Sequence, residues 1–280
     1  MKKISNINFS DKVALIRVDF NVPLDNNLTV TDNSRIIGAL DTINYVINSG
    51  GKAVILSHLG RPNGKFESRF SLINIVDVLS KLLKKKVVFL QNYLEKSAVE
   101  KIEASRSGSV FLLENMRFNK NEKLGCEGFA KEIARLGNWY INDAFGTLHR
   151  DHASTSKVAA FFNNKKCVGF LVAKELLALK SVMKNTNRPV TAIIGGAKIS
   201  GKIDVIRSLY NIVDNLIVGG GMAYSFIKAL GGEVSNSLVE EDKLSLAKEL
   251  VMEANNKNVN LLLPIDSVNG SEFCNECLIN

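Results

Sequence analysis

The sequence predicts an α/β protein with two doubly wound parallel-sheet (Rossmann-like) domains, joined by a helix hinge, the second incomplete. Three observations carry that expectation. Short apolar, β-branched runs alternate with longer stretches of helical period. Runs without polar alternation fit strands buried on both faces of a parallel sheet. The alternation breaks once, around residues 172–189, and then restarts, which marks a second α/β unit. After the restart only three strand-like runs remain, where such domains usually carry roughly five or six.

The elements follow in order. Val13–Val18, Ala53–Leu56, Val87–Leu90, Val110–Leu113 and Trp139–Asn142 read as strands of the first domain. Helices are expected over Arg35–Ile47, Leu72–Leu83, Tyr93–Glu103 and Gly128–Leu136. In the second of these, Leu72, Ile75, Val76, Leu79, Leu82 and Leu83 share one helical face. A long helix, Val172–Lys184, ends in the polar run Asn185–Pro189. Strand Val190–Ile194, helix Ile203–Val213, strand Leu216–Val218, helices Met222–Leu230 and Glu241–Asn255, and strand Asn260–Leu263 complete the chain. The expected domains are 1–170, a connecting helix and hinge over 171–189, and a partial unit over 190–280.

Composition narrows the class. The chain has 280 residues, 46% hydrophobic and 23% charged, which is ordinary for a soluble globular protein. No apolar run approaches the roughly 20 residues a bilayer requires. The start, Met-Lys-Lys-Ile-Ser-Asn-Ile-Asn, has no apolar run behind its lysines, so no signal peptide and no membrane partner are expected. Cys126, Cys167, Cys274 and Cys277 are too sparse for a disulfide framework, and a reducing cytoplasm is the expected location. The Cys274-x-x-Cys277 pair lacks the second ligand pair of a structural zinc site, so no metal is expected there. The net charge is +8. It suits either an anionic partner or a lysine-rich solvated surface.

In parallel sheets ligands bind beyond the carboxyl ends of the strands. Asp19-Phe20-Asn21 follows the first strand, and Ser34-Arg35 opens the helix after it. Ser57-His58-Leu59-Gly60-Arg61 follows the second, and Glu114-Asn115-Met116-Arg117 the fourth. Asp143 to His152, with His149 and Arg150, follows the fifth. Arg35, Arg61, Arg117 and Arg150 are therefore expected at one rim. Guanidinium groups match phosphate and carboxylate bidentately, as lysine does not. All three histidines lie in these loops. Singly each reads as a surface or capping residue; together they read as an anion site, with Asp19 and Asn21 adding hydroxyl recognition. A small phosphorylated organic acid fits. A nucleic-acid partner is not expected, because no basic helix or aromatic stacking set is evident.

The second domain opens with Ile-Ile-Gly195-Gly196-Ala-Lys198-Ile-Ser-Gly-Lys202-Ile203. From Gly196 it matches a Walker A loop until the last position, where Ile203 replaces the hydroxyl that binds magnesium. The near match is read as coincidence. Instead, Gly195-Gly196 is expected to lead into a helix carrying Lys198 and Lys202 on one face. Gly219-Gly220-Gly221 forms a second turn into a helix start. Glycines there let backbone approach a ligand, or simply let helix lie close on sheet.

These motifs together resemble the phosphoglycerate kinase family. The stretches are RVDFNVP (17–23), SHLGRP (57–62), LLENMRF (112–118), NDAFGTLHRDHAS (142–154), GGAKISGKI (195–203) and VGGGMAYSF (218–226). The resemblance runs from about residue 4 to Asp266. It implies that Asp19, Phe20, Asn21, Arg35, His58, Leu59, Gly60, Arg61, Arg117 and Arg150 bind 3-phosphoglycerate or 1,3-bisphosphoglycerate. Lys198 and Lys202 would contact the phosphates of Mg-ATP or Mg-ADP, with Mg²⁺ carried by the nucleotide. Gly195, Gly196, Gly219, Gly220 and Gly221 would border the nucleotide. Arg35 and Lys202 would be catalytic, neutralising the transferring group from opposite sides. The family continues well beyond the Leu263-Pro-Ile-Asp266 block, and the text after Asp266 fits it poorly, so the chain reads as C-terminally shortened. A monomeric glycolytic kinase is expected, with a non-catalytic remnant that binds only the acid as the alternative.

Overall fold

The computed structural model describes residues 4–183, 187–268, 270–272 and 277. It divides into two compact units, Met1–Leu177 and Ala178–Asn280. The first unit contains, in chain order, β1 (Val13–Arg17), α1 (Ser34–Asn48), β2 (Lys52–Leu56), α2 (Val76–Leu83), β3 (Val87–Leu90), α3 (Lys96–Glu103), β4 (Val110–Leu113), α4 (Lys120–Lys123), α5 (Glu127–Ala134), β5 (Trp139–Asn142) and β6 (Lys166–Val168). Helix α6 (Phe170–Met183) begins in it and runs past the division.

The strands form one parallel sheet in the order β3-β4-β2-β1-β5-β6. Ala14 and Ile16 of β1 join one core with Ile36 and Ile43 of α1 and Leu79 and Leu83 of α2. Leu15, between them, joins a second core with Ala98 and Ile102 of α3 and Phe129 and Ile133 of α5. Successive side chains point to opposite faces, and both faces are covered. Every position of β1 except the last must therefore be apolar, which is why the strands read as continuous runs.

The same arrangement fixes where a ligand can enter. The chain leaves β1 over the α1 face towards β2, while β5 lies on the other side of β1. The connection after β5 runs through Val158 and Phe162 on the opposite face. Loops that part to opposite faces leave a crevice beyond the carboxyl ends of the strands. Here it opens between the loops after β1 and β5.

Some elements differ from the sequence reading. Strand β6 was not expected: Lys166-Cys167-Val168 is three residues at the sheet edge, pairing with Tyr140–Asn142. The expected helix Leu72–Leu83 begins as a 3-10 turn, Leu72–Ile75, before α2. The expected connecting helix is α6. Its first turn is tied to the unit by Phe170 N donating to Thr42 Oγ1 at 2.8 Å and Val172 N donating to Asp143 Oδ1 at 3.1 Å. Residues 184–186 of the expected hinge lie outside the described residues.

The second unit contains β7 (Thr191–Gly195), α7 (Ile203–Leu209), β8 (Asn215–Gly219), α8 (Met222–Ala229), α9 (Leu244–Asn256) and β9 (Asn260–Leu262). Its strands pair in the parallel order β7-β8-β9. Ile194, Ile206, Leu216, Val218, Phe226 and Leu250 are buried in its core.

Leu15 and Ile16 are both fully buried, on opposite faces of the larger sheet. Leu15→Ala and Ile16→Ala should each lower stability by about 2–5 kcal/mol. Urea unfolding would show both midpoints falling with little change in slope.

Candidate anion site and glycine turns

The carboxyl-end loops of the first unit are stitched to one another. Ser57 Oγ donates to Val18 O at 2.9 Å and accepts from Phe20 N at 2.8 Å. Asn21 Oδ1 accepts from Gly60 N at 2.8 Å. Asn115 Nδ2 donates to Leu59 O at 2.7 Å and to Phe70 O at 2.8 Å, while its Oδ1 accepts from Arg117 N at 3.0 Å. Buried Glu114 fixes the base of this loop, accepting from Ser71 Oγ, Leu72 N and Asn115 N. Gly60 has φ +61, and a Cβ there would fall 2.3 Å from the Phe70 ring. Both the backbone conformation and the contact demand glycine.

On this frame four arginines and two histidines gather. Arg17, Arg61, Arg117, Arg150, His58 and His152 are close enough to perturb one another's charge. Arg117 donates to Gly60 O at 2.7 Å. Burial, followed by the charges of Arg150, Arg17 and Arg61, holds its guanidinium down at about 10 against the opposing pull of Glu122. Arg35, half exposed, lies on Asp19 with Nη1 to Oδ2 at 2.5 Å. His149 is exposed beside Arg150, which approaches its Nε2 at 3.5 Å. Phe20 and Leu59 are different, because their side chains are buried in the hydrophobic core. They can offer a ligand only backbone.

Arg17 carries no site signal in the sequence because it sits inside an apolar strand run. It is 1% exposed. Its Nε donates to Ser154 Oγ at 3.0 Å, its Nη1 donates to Val18 O, and its Nη2 faces His58 Nδ1 at 3.2 Å. A guanidinium can only donate, so His58 Nδ1 accepts and the imidazole proton sits on Nε2. Glu122 carries none either. It is buried at 1% exposure, and its carboxylate accepts from Ser154 N at 2.9 Å and Ser154 Oγ at 2.6 Å. Burial, then the charges of Arg17, Arg117, Arg150 and His152, pushes the His58 pKa far below its ordinary 6.5. His58 therefore stays a neutral donor in the folded chain.

In the second unit the lysines do not lie on a helix. Helix α7 begins only at Ile203, with Lys202 just before it and Lys198 in the preceding turn. The cause lies in residues distant in sequence. Glu240 accepts from Ile199 N at 2.5 Å, Ser200 N at 3.1 Å and Ser200 Oγ at 2.6 Å, which holds these residues in a turn. Burial opposes ionisation of Glu240, but those hydrogen bonds and the Lys198 charge outweigh it and lower its pKa. The two glycine turns touch directly. Met222 N donates to Gly196 O at 2.8 Å. Gly220 has φ +68, and a Cβ there would lie 3.1 Å from Gly196 O. Gly195 and Gly219 end β7 and β8 as register partners. Gly221 lies against Ala197, where a Cβ would meet its carbonyl at 3.3 Å. Among the described residues no group of His, Cys, Asp and Glu could hold a metal ion, and no helix is long and apolar enough to cross a membrane. Cys274 lies outside the described residues.

Fold and site together define a parallel α/β protein that gathers arginines at the carboxyl edge of its larger sheet. The chain belongs to the phosphoglycerate kinase family, whose family model matches residues 4–278. That match continues past Asp266, where the sequence reading ended the resemblance. The phosphoglycerate kinase of Clostridioides difficile (strain 630) is 47% identical over 274 residues, covering 97% of this chain and 68% of the relative. That of Chlorobaculum tepidum is 46% identical over 272 residues, with the same coverage. The solved phosphoglycerate kinase from Coxiella burnetii superposes with a TM-score of 0.84 at 40% identity, covering 99% of this chain and 69% of that one. The structure from Pyrococcus horikoshii OT3 gives 0.81 at 28% identity, covering 96% and 68%.

Two outcomes follow. The unfolded chain binds a proton at His58 near pH 6.5 and the folded chain does not. Stability tied to this group is complete above that pH and is lost as pH falls below it. Between pH 7 and pH 5 the wild type should lose about 2 kcal/mol that His58→Asn does not lose, read from urea unfolding of each at both pH values. Glu240→Ala removes the acceptor for the Ile199 and Ser200 amides, and hydrogen exchange at those two positions should accelerate while exchange in β7 stays unchanged.

Proposed function

We propose that this chain acts as a phosphoglycerate kinase, transferring a phosphoryl group reversibly between 1,3-bisphosphoglycerate with ADP and 3-phosphoglycerate with ATP. The magnesium ion arrives with the nucleotide, as part of that substrate. The observation that carries the reading is the cluster of cations around Arg117. Burial first, and then the repulsion among these charges, lowers its pKa, and an entering anion would offset that repulsion. A doubly anionic phosphate and a carboxylate on one small acid supply that charge.

The residues suit the chemistry. The acceptor in the ATP-consuming direction is a carboxylate, already ionised at neutral pH. No general base is needed, and the neutral His58 is not asked to be one. Its Nε2–H, with Arg61, Arg117 and Arg150, orients the acid, while Asn21 holds the loop that carries Gly60. Catalysis of phosphoryl transfer rests on positioning and charge neutralisation. Arg35 and Lys202 are the cations assigned to the transferring group, Lys198 to the nucleotide phosphates. Gly195, Gly196 and Gly219 to Gly221 are assigned to the nucleotide's approach. The proposed setting is the cytoplasm, and the proposed state a monomer.

Calorimetry with 3-phosphoglycerate and with MgADP, beside a coupled turnover assay, tests this. Both ligands should bind. Arg117→Ala should weaken the acid by at least about tenfold, roughly 1.4 kcal/mol, and leave MgADP unaffected. Arg35→Ala should lower turnover far more than it weakens either ligand. Acid binding without nucleotide binding or turnover would reduce the chain to an acid-binding protein; no acid binding would end the proposal.

A further inference from the structure

Glu122 has no place among the loops that present the cations, yet it ends a chain of hydrogen bonds leading to them. It stands on α4, buried, with its carboxylate on the amide and hydroxyl of Ser154. Its carbonyl also accepts from Ala153 N at 2.9 Å. Ser154 has one hydroxyl proton, and it donates it in a hydrogen bond to Glu122 Oε1 at 2.6 Å. The lone pairs of Ser154 Oγ are thereby turned towards Arg17 Nε, 3.0 Å away. Arg17 is then aimed by its Nη1 bond to Val18 O, and its Nη2 meets His58 Nδ1 at 3.2 Å.

His58 has a competing arrangement within reach. Asp19 Oδ1 lies 3.8 Å from the same Nδ1. Were Nδ1 to carry the proton, it would turn to Asp19, and Arg17 Nη2 would lose its acceptor. Asp19 would then be shared between His58 and Arg35, which it holds at 2.5 Å. The groups that bear on His58 are thus one anion, Asp19, the cations Arg17, Arg117 and Arg150, and the imidazole of His152, whose own pKa burial lowers. Which nitrogen is protonated decides whether the ring offers a donor on Nε2 or spends it on Asp19.

We propose that Glu122 is a positioning residue: acting through Ser154 and Arg17, it holds His58 in the Nε2–H tautomer, with that donor free for the substrate acid. The buried negative charge is needed as well as the shape. Arg17 is buried among cations, and Glu122 is the strongest nearby influence that keeps it charged. Remove that charge and the incentive to aim Arg17 at Nδ1 weakens. The role in substrate binding rests on the function proposed above, whereas the tautomer does not.

Long-range proton–nitrogen spectra of the histidine-labelled full chain, without ligand, read the tautomer directly. The chain's three histidines are assigned by substituting each in turn. In the wild type, His58 should show a bare Nδ1 and a protonated Nε2. Glu122→Gln keeps the shape but not the charge, and Ser154→Ala breaks the link. Both should raise the Nδ1–H population, while Ser154→Thr, which restores the hydroxyl, should resemble wild type. Glu122→Gln should also weaken 3-phosphoglycerate by about tenfold. A wild-type Nδ1–H tautomer would overturn the proposal, as would an unchanged tautomer in the folded Glu122→Gln or Ser154→Ala chain. If Glu122→Gln does not fold, the Ser154 pair decides alone. If the wild type binds no 3-phosphoglycerate, the functional reading fails, but the tautomer spectra still decide the role of Glu122.

Discussion

A guanidinium buried at the end of a central strand is the constraint around which the first unit's carboxyl edge is arranged. Arg17 occupies the last position of β1, between β2 and β5. Burial disfavours its charge more than any other influence acts on it. A buried charge persists only when its donors are matched and its field is balanced. Ser154, Val18 and His58 match the donors, and Glu122 leads the groups that balance the field. These partners come from the residue after β1, the loop after β2, the turn of α4 and the loop after β5. Keeping one cation satisfied therefore ties together the segments that form the pocket.

The sheet made most of this legible in the sequence. Strands covered on both faces leave continuous apolar runs, and the polar residues after each run mark the carboxyl edge. His58, Arg61, Arg117 and Arg150 could be found that way because each follows a run. Arg17 could not, since it stands inside one, where an arginine in Val-Ala-Leu-Ile-Arg-Val reads as an irregularity. Its signal was available in retrospect: a lone charge at the carboxyl end of a strand buried on both faces requires a partner. Glu122 carried no such signal. It lies among Lys120, Asn121 and Lys123 in a stretch that reads as solvated, and its burial is created by the return of Ala153 and Ser154.

The misplaced lysine helix has the same origin. Spacing alone puts Lys198 and Lys202 on one helical face, since residues four apart are neighbours there. Local spacing does not register an acceptor distant in sequence. Glu240 accepts from the amides of Ile199 and Ser200 and holds them in the turn that precedes α7, and the helix starts only at Ile203. Lys202 thereby stands at the amino end of α7 instead of within it. The glycines were legible for a sounder reason. Gly220 brings two backbones together: its φ is +68, and a Cβ there would lie 3.1 Å from Gly196 O, so a residue without a side chain suits that approach.

The balance between fold and pocket is unequal. Arg117, Arg150, Arg61 and Arg17 act on one another as like charges, and carboxylates near them are few: Glu122, facing inward, and Asp19, engaged by Arg35. A fold selected for stability alone would have placed more acids among these cations. Like charges therefore stand close together at this edge with little to offset them. The loops after β1, β2 and β4 are cross-linked by Ser57, Asn21, Asn115 and Glu114. Those bonds are what keep the loops from relaxing outward and dissipating the field. Stabilising the frame with neutral side chains, while leaving the cations only partly countered, gives a pocket that is already organised before its ligand arrives. Under the function proposed above, the binding energy of the acid would then not be consumed in gathering the charges and would remain available to orient it.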